Sequence, residues 1–308
     1  MKRANSHWRW GVLALSALLV AACGGSGPED AATTVTESAA GASTSETVGD
    51  TSQTAAPVAV PGPGDPWDVL FLAEENWSFS PDAAQAYARR AGEALGVEVR
   101  FLDTSWLISW AWELLRQVRD EAYPGLGDMV REAEIIVVTA FAERSDNGDP
   151  TQIDRDDANC LWDTSAVNPR PPQVTTPEYW EPYRTLLDDL YTEIWALRDG
   201  APTVLLTVDY HQPYYGRNVE AGIEAECRAW LEALSGVARE VGEAHGATFV
   251  SAYDVLNGPN HDLDPVALGY VGPSELKPST YSNAPNEVGS EMVADAIASA
   301  GLEPTTRP

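Results

Sequence analysis

Two glutamates, Glu74 and Glu75, occupy the polar turn that follows the first apolar run of the predicted domain, residues 69–73. This run has the length and composition of a buried parallel strand. Ser80 and Pro81 then have the residue types of a helix N-cap and first helical position. A strand, a tight turn and a helix at the start of an α/β domain commonly carry the functional group. Paired carboxylates there suit glycoside hydrolysis or the binding of a hard cation such as calcium.

More carboxylates and aromatic side chains follow the ends of the other predicted strands, at the same edge of the sheet. Glu143 and Asp146 are the additional carboxylates. Aromatic faces beside carboxylate acceptors suit a sugar-like or amphipathic ligand, although a solvated acidic rim and ordinary core packing also explain them. The predicted binding residues are Glu74, Glu75, Trp77, Trp106, Phe141, Glu143, Tyr210 and His211. No metal site and no cofactor are predicted.

His211 is the histidine whose position best suits proton transfer, because it follows the fourth predicted strand. Ser78 lies near the same edge, so a Ser78–His211 pair supported by Asp209 or Asp146 is a candidate catalytic group. The other two histidines of the folded part have plainer interpretations. His245 stands at a helix end beside a glycine and predicts a cap interaction, and His261 predicts a structural hydrogen bond.

Apolar runs alternate with helical patterns along the rest of the chain. The strands are predicted at 69–73, 97–102, 134–141, 203–208 and 247–251, and the helices at 81–95, 107–118, near Met129, 177–198, 219–244 and 286–300. Strands separated by helices form a parallel sheet with helices on both faces. The pattern therefore predicts an α/β, three-layer α/β/α, flavodoxin-like fold with a five-stranded parallel sheet. A nucleotide is not expected, because the sequence has no glycine-rich phosphate loop.

The N-terminal residues have the pattern of a bacterial lipoprotein signal. Lysine and arginine precede a short apolar stretch that ends in Val-Ala-Ala-Cys23. This predicts a signal peptide over 1–22 and acylation of Cys23, which anchors the protein to the outer face of the membrane. Residues 23–65 are rich in Gly, Ser, Thr, Ala and Pro and predict a disordered tether. The remainder, 66–308, is long enough for one domain.

The chain of 308 residues has a formal net charge of −28. So negative a protein is repelled by nucleic acid and by anionic lipid head groups. We therefore expect no nucleic-acid partner. We also expect the lipid, rather than the protein surface, to hold the protein at the membrane. Cys160 and Cys227 predict a disulfide that ties the long middle loop to a helix, as a matched pair in an extracytoplasmic domain.

Six short segments together resemble the SGNH/GDSL hydrolase family, in particular its lipid-anchored bacterial members. The segments are 68–72, 134–138, 197–202, 253–262, 269–273 and 285–289. The resemblance covers about residues 67–302 and implies an esterase-like fold. In the family, a Gly-Asp-Ser-like turn holds the nucleophile, a Gly and an Asn help form the oxyanion hole, and an Asp-x-x-His block supplies the base.

The chain departs from that pattern at each of the four blocks. Glu75 takes the nucleophile position, Trp106 stands near the Gly position, and no Asn follows the third strand until Asn147. The Asp-x-x-His block is ambiguous because of an insertion around 272–283. One alignment places Ser274 and Lys277 at the Asp and His positions, and the other places Tyr281 and Ala284 there.

Loss of the serine, asparagine and histidine blocks together predicts a non-catalytic descendant. Such a protein would bind a cell-surface glycan, a peptide or a partner protein at the former active-site edge. The alternative is an active ester hydrolase, such as a polysaccharide deacetylase, with a relocated nucleophile. A transporter's solute-binding protein fits less well, because such receptors close two lobes around the ligand.

Overall fold

The computed structural model describes residues 62, 64–73, 81–102, 104, 111–119, 125–139, 160, 177–273 and 283–307. The signal peptide, Cys23 and most of the predicted tether lie outside these residues. Several predicted site residues also lie outside them: Glu74, Glu75, Trp77, Ser78, Trp106, Phe141, Glu143 and Asp146. Among the described residues, no helix has the length and hydropathy needed to cross a bilayer.

Five parallel strands form one sheet in the order β2-β1-β3-β4-β5. The strands are β1 (Trp67–Leu72), β2 (Val99–Leu102), β3 (Ile135–Val138), β4 (Val204–Val208) and β5 (Thr248–Val250). The helices are α1 (Pro81–Leu95), α2 (Ala111–Arg119), α3 (Leu126–Glu132), α4 (Pro177–Arg198), α5 (Tyr215–Ala221), α6 (Glu224–Ala244), α7 (Ala252–Asn257) and α8 (Glu287–Ser299). This is the flavodoxin-like strand order, so the predicted fold class is confirmed.

Helices cover both faces of the sheet, and alternate residues of β1, β3 and β4 enter two separate cores. Leu70 and Leu72 of β1 pack on the side of α2, α3, α4 and α6. Val69 and Phe71 pack on the side of α1, α7 and α8. Residues buried on both faces explain why these strands are continuous apolar runs rather than alternating ones.

Two local features differ from the prediction. The single helix expected over 219–244 is divided into α5 and α6, because Gly222 adopts φ 72° and ends α5 with its N–H bonded to the carbonyl of Val219. The second feature is α7, which was not predicted. It has six residues, and its N-cap is Ser251, whose hydroxyl accepts a hydrogen bond from the N–H of Asp254. A helix of this length shows too few repeats for its period to be recognised.

Gly289 lies in the first turn of α8, where the helix presses against a neighbouring backbone segment. A Cβ added there would lie 2.2 Å from the carbonyl oxygen of Tyr270. We expect Gly289→Ala to lower the free energy of unfolding by about 1–3 kcal/mol, because backbone must shift to relieve the overlap.

Gly236 is the matched control, since it lies inside α6 and a Cβ there meets nothing within 4 Å. We expect Gly236→Ala to raise the free energy of unfolding by about 0.5–1 kcal/mol, because alanine loses less entropy in a helix. Urea denaturation of both variants measures the two effects. Equal effects of the two substitutions would contradict the close packing at Gly289.

Candidate functional site

The carboxyl ends of the five strands form the edge of the sheet where ligands bind in folds of this topology. The ends of β1, β2 and β3 are joined there by hydrogen bonds. The hydroxyl of Thr104, after β2, donates to the carbonyl of Phe71 at 2.6 Å. The N–H of Thr139, after β3, donates to the carbonyl of Leu72 at 3.0 Å. The order of connection reverses between β1 and β3, so a crevice is expected at this point.

Asp209, directly after β4, is a buried carboxylate whose oxygens are both engaged. Oδ1 accepts the N–H of Tyr253 at 3.0 Å, and Oδ2 accepts the hydroxyl of Ser251 at 2.9 Å. Burial raises the pKa of Asp209 to about 6, against the lowering effect of these bonds. The carboxylate therefore joins β4 to the start of α7.

His211 lies two residues further along and is 1% exposed. Its Nε2 lies 3.0 Å from the carbonyl oxygen of Asn283. Because a carbonyl oxygen only accepts, Nε2 carries the hydrogen and Nδ1 has a free lone pair. Among the described residues Nδ1 has no hydrogen-bond partner. Burial lowers the pKa of His211 to about 4, so the ring is neutral at pH 7.

The predicted support of His211 by Asp209 is not formed, and this corrects the sequence interpretation. Asp209 is bonded to Ser251 and Tyr253, whereas His211 is bonded to Asn283. The carboxylate is satisfied at the β5–α7 junction, which the linear sequence did not reveal. The other predicted support, Asp146, and the predicted nucleophile, Ser78, lie outside the described residues.

Tyr210 lies at the predicted edge, but it is only 2% exposed and its hydroxyl donates to the carbonyl of Thr139 at 3.2 Å. Tyr210 and His211 are both among the predicted binding residues. Both side chains are buried and form the inner part of the edge, and their contact with a ligand stays a prediction. Tyr214, which also follows β4, is buried as well.

Gln212 and Asn257 form a buried network that sequence reasoning missed. The N–H of Gln212 donates to Oδ1 of Asn257 at 2.8 Å, and Nδ2 of Asn257 donates to the carbonyls of Gln212 and Leu263, each at 3.0 Å. The hydroxyl of Tyr253 lies 3.3 Å from Oε1 of Gln212. No local signal marks these residues, because 45 positions separate Gln212 from Asn257. The network holds the loop after β4 against α7.

A small cavity of about 10 Å³ lies between β4 and the helices α4 and α6, beside Asp209. Tyr183, Leu187 and Ser235 are among the residues that line it. A space of this size holds about one water molecule. It is therefore too small to be a ligand site.

The other two histidines pair with carboxylates away from His211. His261 lies between Glu232 and Asp254, at 3.1 and 2.8 Å, and stacks on the ring of Tyr253. This confirms the predicted structural hydrogen bond. His245 is the C-cap of α6, as predicted, because its backbone N–H donates to the carbonyls of Val241 and Gly242 at 3.2 and 3.0 Å. Its ring bonds to Asp188 on α4 at 2.7 Å. It precedes β5 and so lies at the opposite edge of the sheet.

The disulfide between Cys160 and Cys227 is present, with an S–S distance of 2.04 Å, which confirms the predicted pairing. Both sulfur-bearing residues are buried and pack with Ile223. Within the part of the chain that the structure describes, no group of His, Cys, Asp or Glu side chains has the arrangement of a metal site.

Comparison with protein-family models finds no match, and comparison with curated proteins finds none either. Three solved structures illustrate the similarities that are found. The lipase Lip_vut3 from a goat rumen metagenome has 12% identity and a TM-score of 0.48, with 77% of this chain and 98% of that chain covered. A GDSL-like lipase from Parabacteroides merdae has 14% identity and a TM-score of 0.42, with 77% of this chain and 96% of that chain covered. A catalytic mutant of the acetylxylan esterase Axe2 from Geobacillus stearothermophilus has 14% identity and a TM-score of 0.41, covering 78% and 95%.

The chain resembles GDSL-type hydrolases in fold. The strand order of the sheet is the flavodoxin-like one, which unrelated families share. Activity is a separate question, because one fold hosts many functions and the chemistry depends on the site.

Proposed function

We propose that this protein is a lipid-anchored, extracytoplasmic binding protein that has an esterase-like fold and does not hydrolyse esters. One observation carries the proposal. No histidine in the described part of the chain combines a carboxylate partner with a free ring nitrogen at the carboxyl edge of the sheet. A serine hydrolase needs both, because the carboxylate orients the imidazole and the free nitrogen takes the proton.

Each described histidine lacks one of the two requirements. His211 has a free Nδ1 but bonds to a backbone carbonyl. His261 has two carboxylate partners, which occupy both ring nitrogens. His245 pairs with Asp188 at the opposite edge. Ala284, which one alignment places at the family histidine, is buried and has no group for proton transfer.

Ester hydrolysis by the mature chain tests the proposal. We expect 4-nitrophenyl acetate and 4-nitrophenyl butyrate to be hydrolysed at the buffer rate, and no serine to be labelled by a fluorophosphonate. Hydrolysis above that rate, abolished by a single substitution at the edge, would overturn the proposal.

Ligand binding is expected at the same edge of the sheet, because the predicted acidic and aromatic residues follow the strand ends in the sequence. Trp77 and Trp106 give this expectation a spectroscopic test. We expect a neutral oligosaccharide such as chitotetraose or xylotetraose to change the tryptophan fluorescence of the wild type, and Trp106→Ala to abolish the change. Trp195→Phe is the control, because Trp195 on α4 is buried and its Nε1 donates to the carbonyl of His245 after α6. A response lost equally in both variants would argue against binding at this edge.

A second candidate function is ester hydrolysis with a relocated nucleophile, and the free lone pair on Nδ1 of His211 favours it. In that mechanism Ser78 attacks the ester carbonyl and Nδ1 takes the hydroxyl proton. The backbone carbonyl of Asn283 would orient the ring in place of a carboxylate. It predicts fluorophosphonate labelling at Ser78 and loss of hydrolysis in both Ser78→Ala and His211→Ala.

A further inference from the structure

All the large apolar side chains that are exposed among the described residues belong to one part of the fold. They are Val219, Leu263, Val266, Leu268 and Val288, which are 42–50% exposed. Val219 lies on α5, Val288 lies in the first turn of α8, and the other three lie in the turn segment between α7 and α8. We call these five residues the apolar surface. Single exposed apolar residues are ordinary, but a concentrated set indicates an interaction site.

Close contacts between side chains and backbone join the three elements of the apolar surface. On one side, Gly216 of α5 lies against the carboxylate of Asp264, at a separation that leaves no room for a Cβ. On the other, Nδ2 of Asn286, the N-cap of α8, donates to the carbonyl of Gly269 at 2.9 Å. The turn segment is therefore held between α5 and α8.

The turn that presents Val266 and Leu268 is held by its own hydrogen bonds. Oδ1 of Asp264 accepts the N–H groups of Val266 and Ala267 at 3.0 and 3.1 Å. The N–H of Leu268 donates to the carbonyl of Asp264 at 3.0 Å. Apolar side chains on a preorganised turn lose little further entropy on binding, which favours association.

Carboxylates border the apolar surface. Glu220 and Asp262 are exposed beside Val219 and Leu263 in the chain. Glu224 begins α6 three residues after the end of α5, and the carboxylate of Asp264 lies against Gly216 of α5. Of the nearby cations, Arg228 is paired with Glu224 at 3.0 Å and Arg217 lies over the ring of Tyr214. The border is thus acidic, as is the whole chain.

We infer that the apolar surface docks a partner protein through a segment that carries apolar side chains flanked by lysine or arginine. Apolar contacts supply the burial and the acidic border selects the charge of the partner. The same border repels a second copy of this acidic chain and an anionic lipid surface. The apolar surface belongs to elements that follow β4 and β5, whereas Trp77 and Trp106, which test the proposed ligand binding, follow β1 and β2 in the sequence.

A designed peptide pair tests the inference on the mature chain made with Cys23→Ala, which needs no detergent. The first probe is a 14-residue amphipathic peptide of leucine and lysine, and the second has glutamate in place of lysine. We expect calorimetry to show binding of the lysine peptide only. Val266→Ser with Leu268→Ser should weaken it at least tenfold, and Glu220→Gln with Asp262→Asn should weaken it severalfold and reduce its salt dependence.

Two control measurements separate docking from general charge attraction and from loss of folding. Glu240→Gln with Glu243→Gln removes two carboxylates from the other end of α6 and should leave binding unchanged. Val219→Ser with Val288→Ser is a second apolar pair, and each variant should keep the thermal midpoint of the wild type. Equal binding by the wild type and both apolar pairs would overturn the inference. The wild type could instead self-associate or bind phosphatidylcholine vesicles, and lose that binding in the apolar pairs. Such a result would overturn the inference of a partner protein and assign the apolar surface to a second copy or to a membrane.

Discussion

Replacing Cys227 with serine is expected to lower the free energy of unfolding by about 4 kcal/mol. The disulfide closes a loop with a sequence separation of 67 residues. A cross-link over a loop of this length lowers the conformational entropy of the unfolded chain, which stabilises the folded state by about 4 kcal/mol. Both cysteines are completely buried beside Ile223, so the substitution also places a hydroxyl among apolar atoms. Urea denaturation at pH 7 measures the loss.

The pair of cysteines offers an internal control. Cys160→Ser and the double variant should be destabilised as much as Cys227→Ser, because any one of the three changes removes the same bond. A reductant should destabilise the wild type and leave all three variants unaffected. Wild-type unfolding that is insensitive to a reductant under denaturing conditions would contradict a stabilising disulfide.

Asp209→Asn and His211→Gln are expected to change the pH dependence of stability in opposite directions, by about 3 kcal/mol each. The folded state disfavours the charged form of both side chains because both are buried. For His211 the pKa falls from 6.5 to about 4. For Asp209 it rises from 3.8 to about 6. One pKa unit corresponds to about 1.4 kcal/mol.

The signs follow from which state binds more protons. Between about pH 4 and 6.5 the unfolded state binds more protons at His211 than the folded state does. The contribution of His211 to the free energy of unfolding is therefore complete above pH 6.5 and is lost as the pH falls. Between about pH 4 and 6 the folded state binds more protons at Asp209, so its contribution is largest near pH 4 and is lost as the pH rises. The two slopes therefore nearly cancel in the wild type.

Each variant removes one slope and reveals the other. From pH 4 to 6, the stability of Asp209→Asn should rise relative to the wild type by about 3 kcal/mol. From pH 4 to 6.5, that of His211→Gln should fall relative to the wild type by a similar amount. Both substitutions keep a suitable group: asparagine can accept the N–H of Tyr253, and glutamine can donate to Asn283. Urea denaturation at half-unit pH steps, with the exposed Glu243→Gln as control, gives the differences. Parallel curves for both variants would show that neither buried group titrates as described.

Much of the fold was predictable because its signals are local. The predicted boundaries of α1 agree with the structure at both ends, since Pro81 and Gly96 are strong start and stop signals. The buried strands were recognisable because apolar residues face helices on both sides. The division at Gly222 was missed because α5 and α6 are individually consistent with one long helical pattern. Only the left-handed conformation of that glycine separates them.

The sequence by itself determined the order of the strands, the positions of most helices and the cysteine pair, because residue type and spacing indicate each of them. The tertiary structure alone decided which partners the polar side chains obtained. Asp209 and His211 are two positions apart in the chain, yet they bond to Ser251 and Tyr253 in one case and to Asn283 in the other. Hydrogen bonds between distant segments depend on how the layers pack. Among the described residues, that packing left Nδ1 of His211 without a partner and placed no carboxylate against the ring.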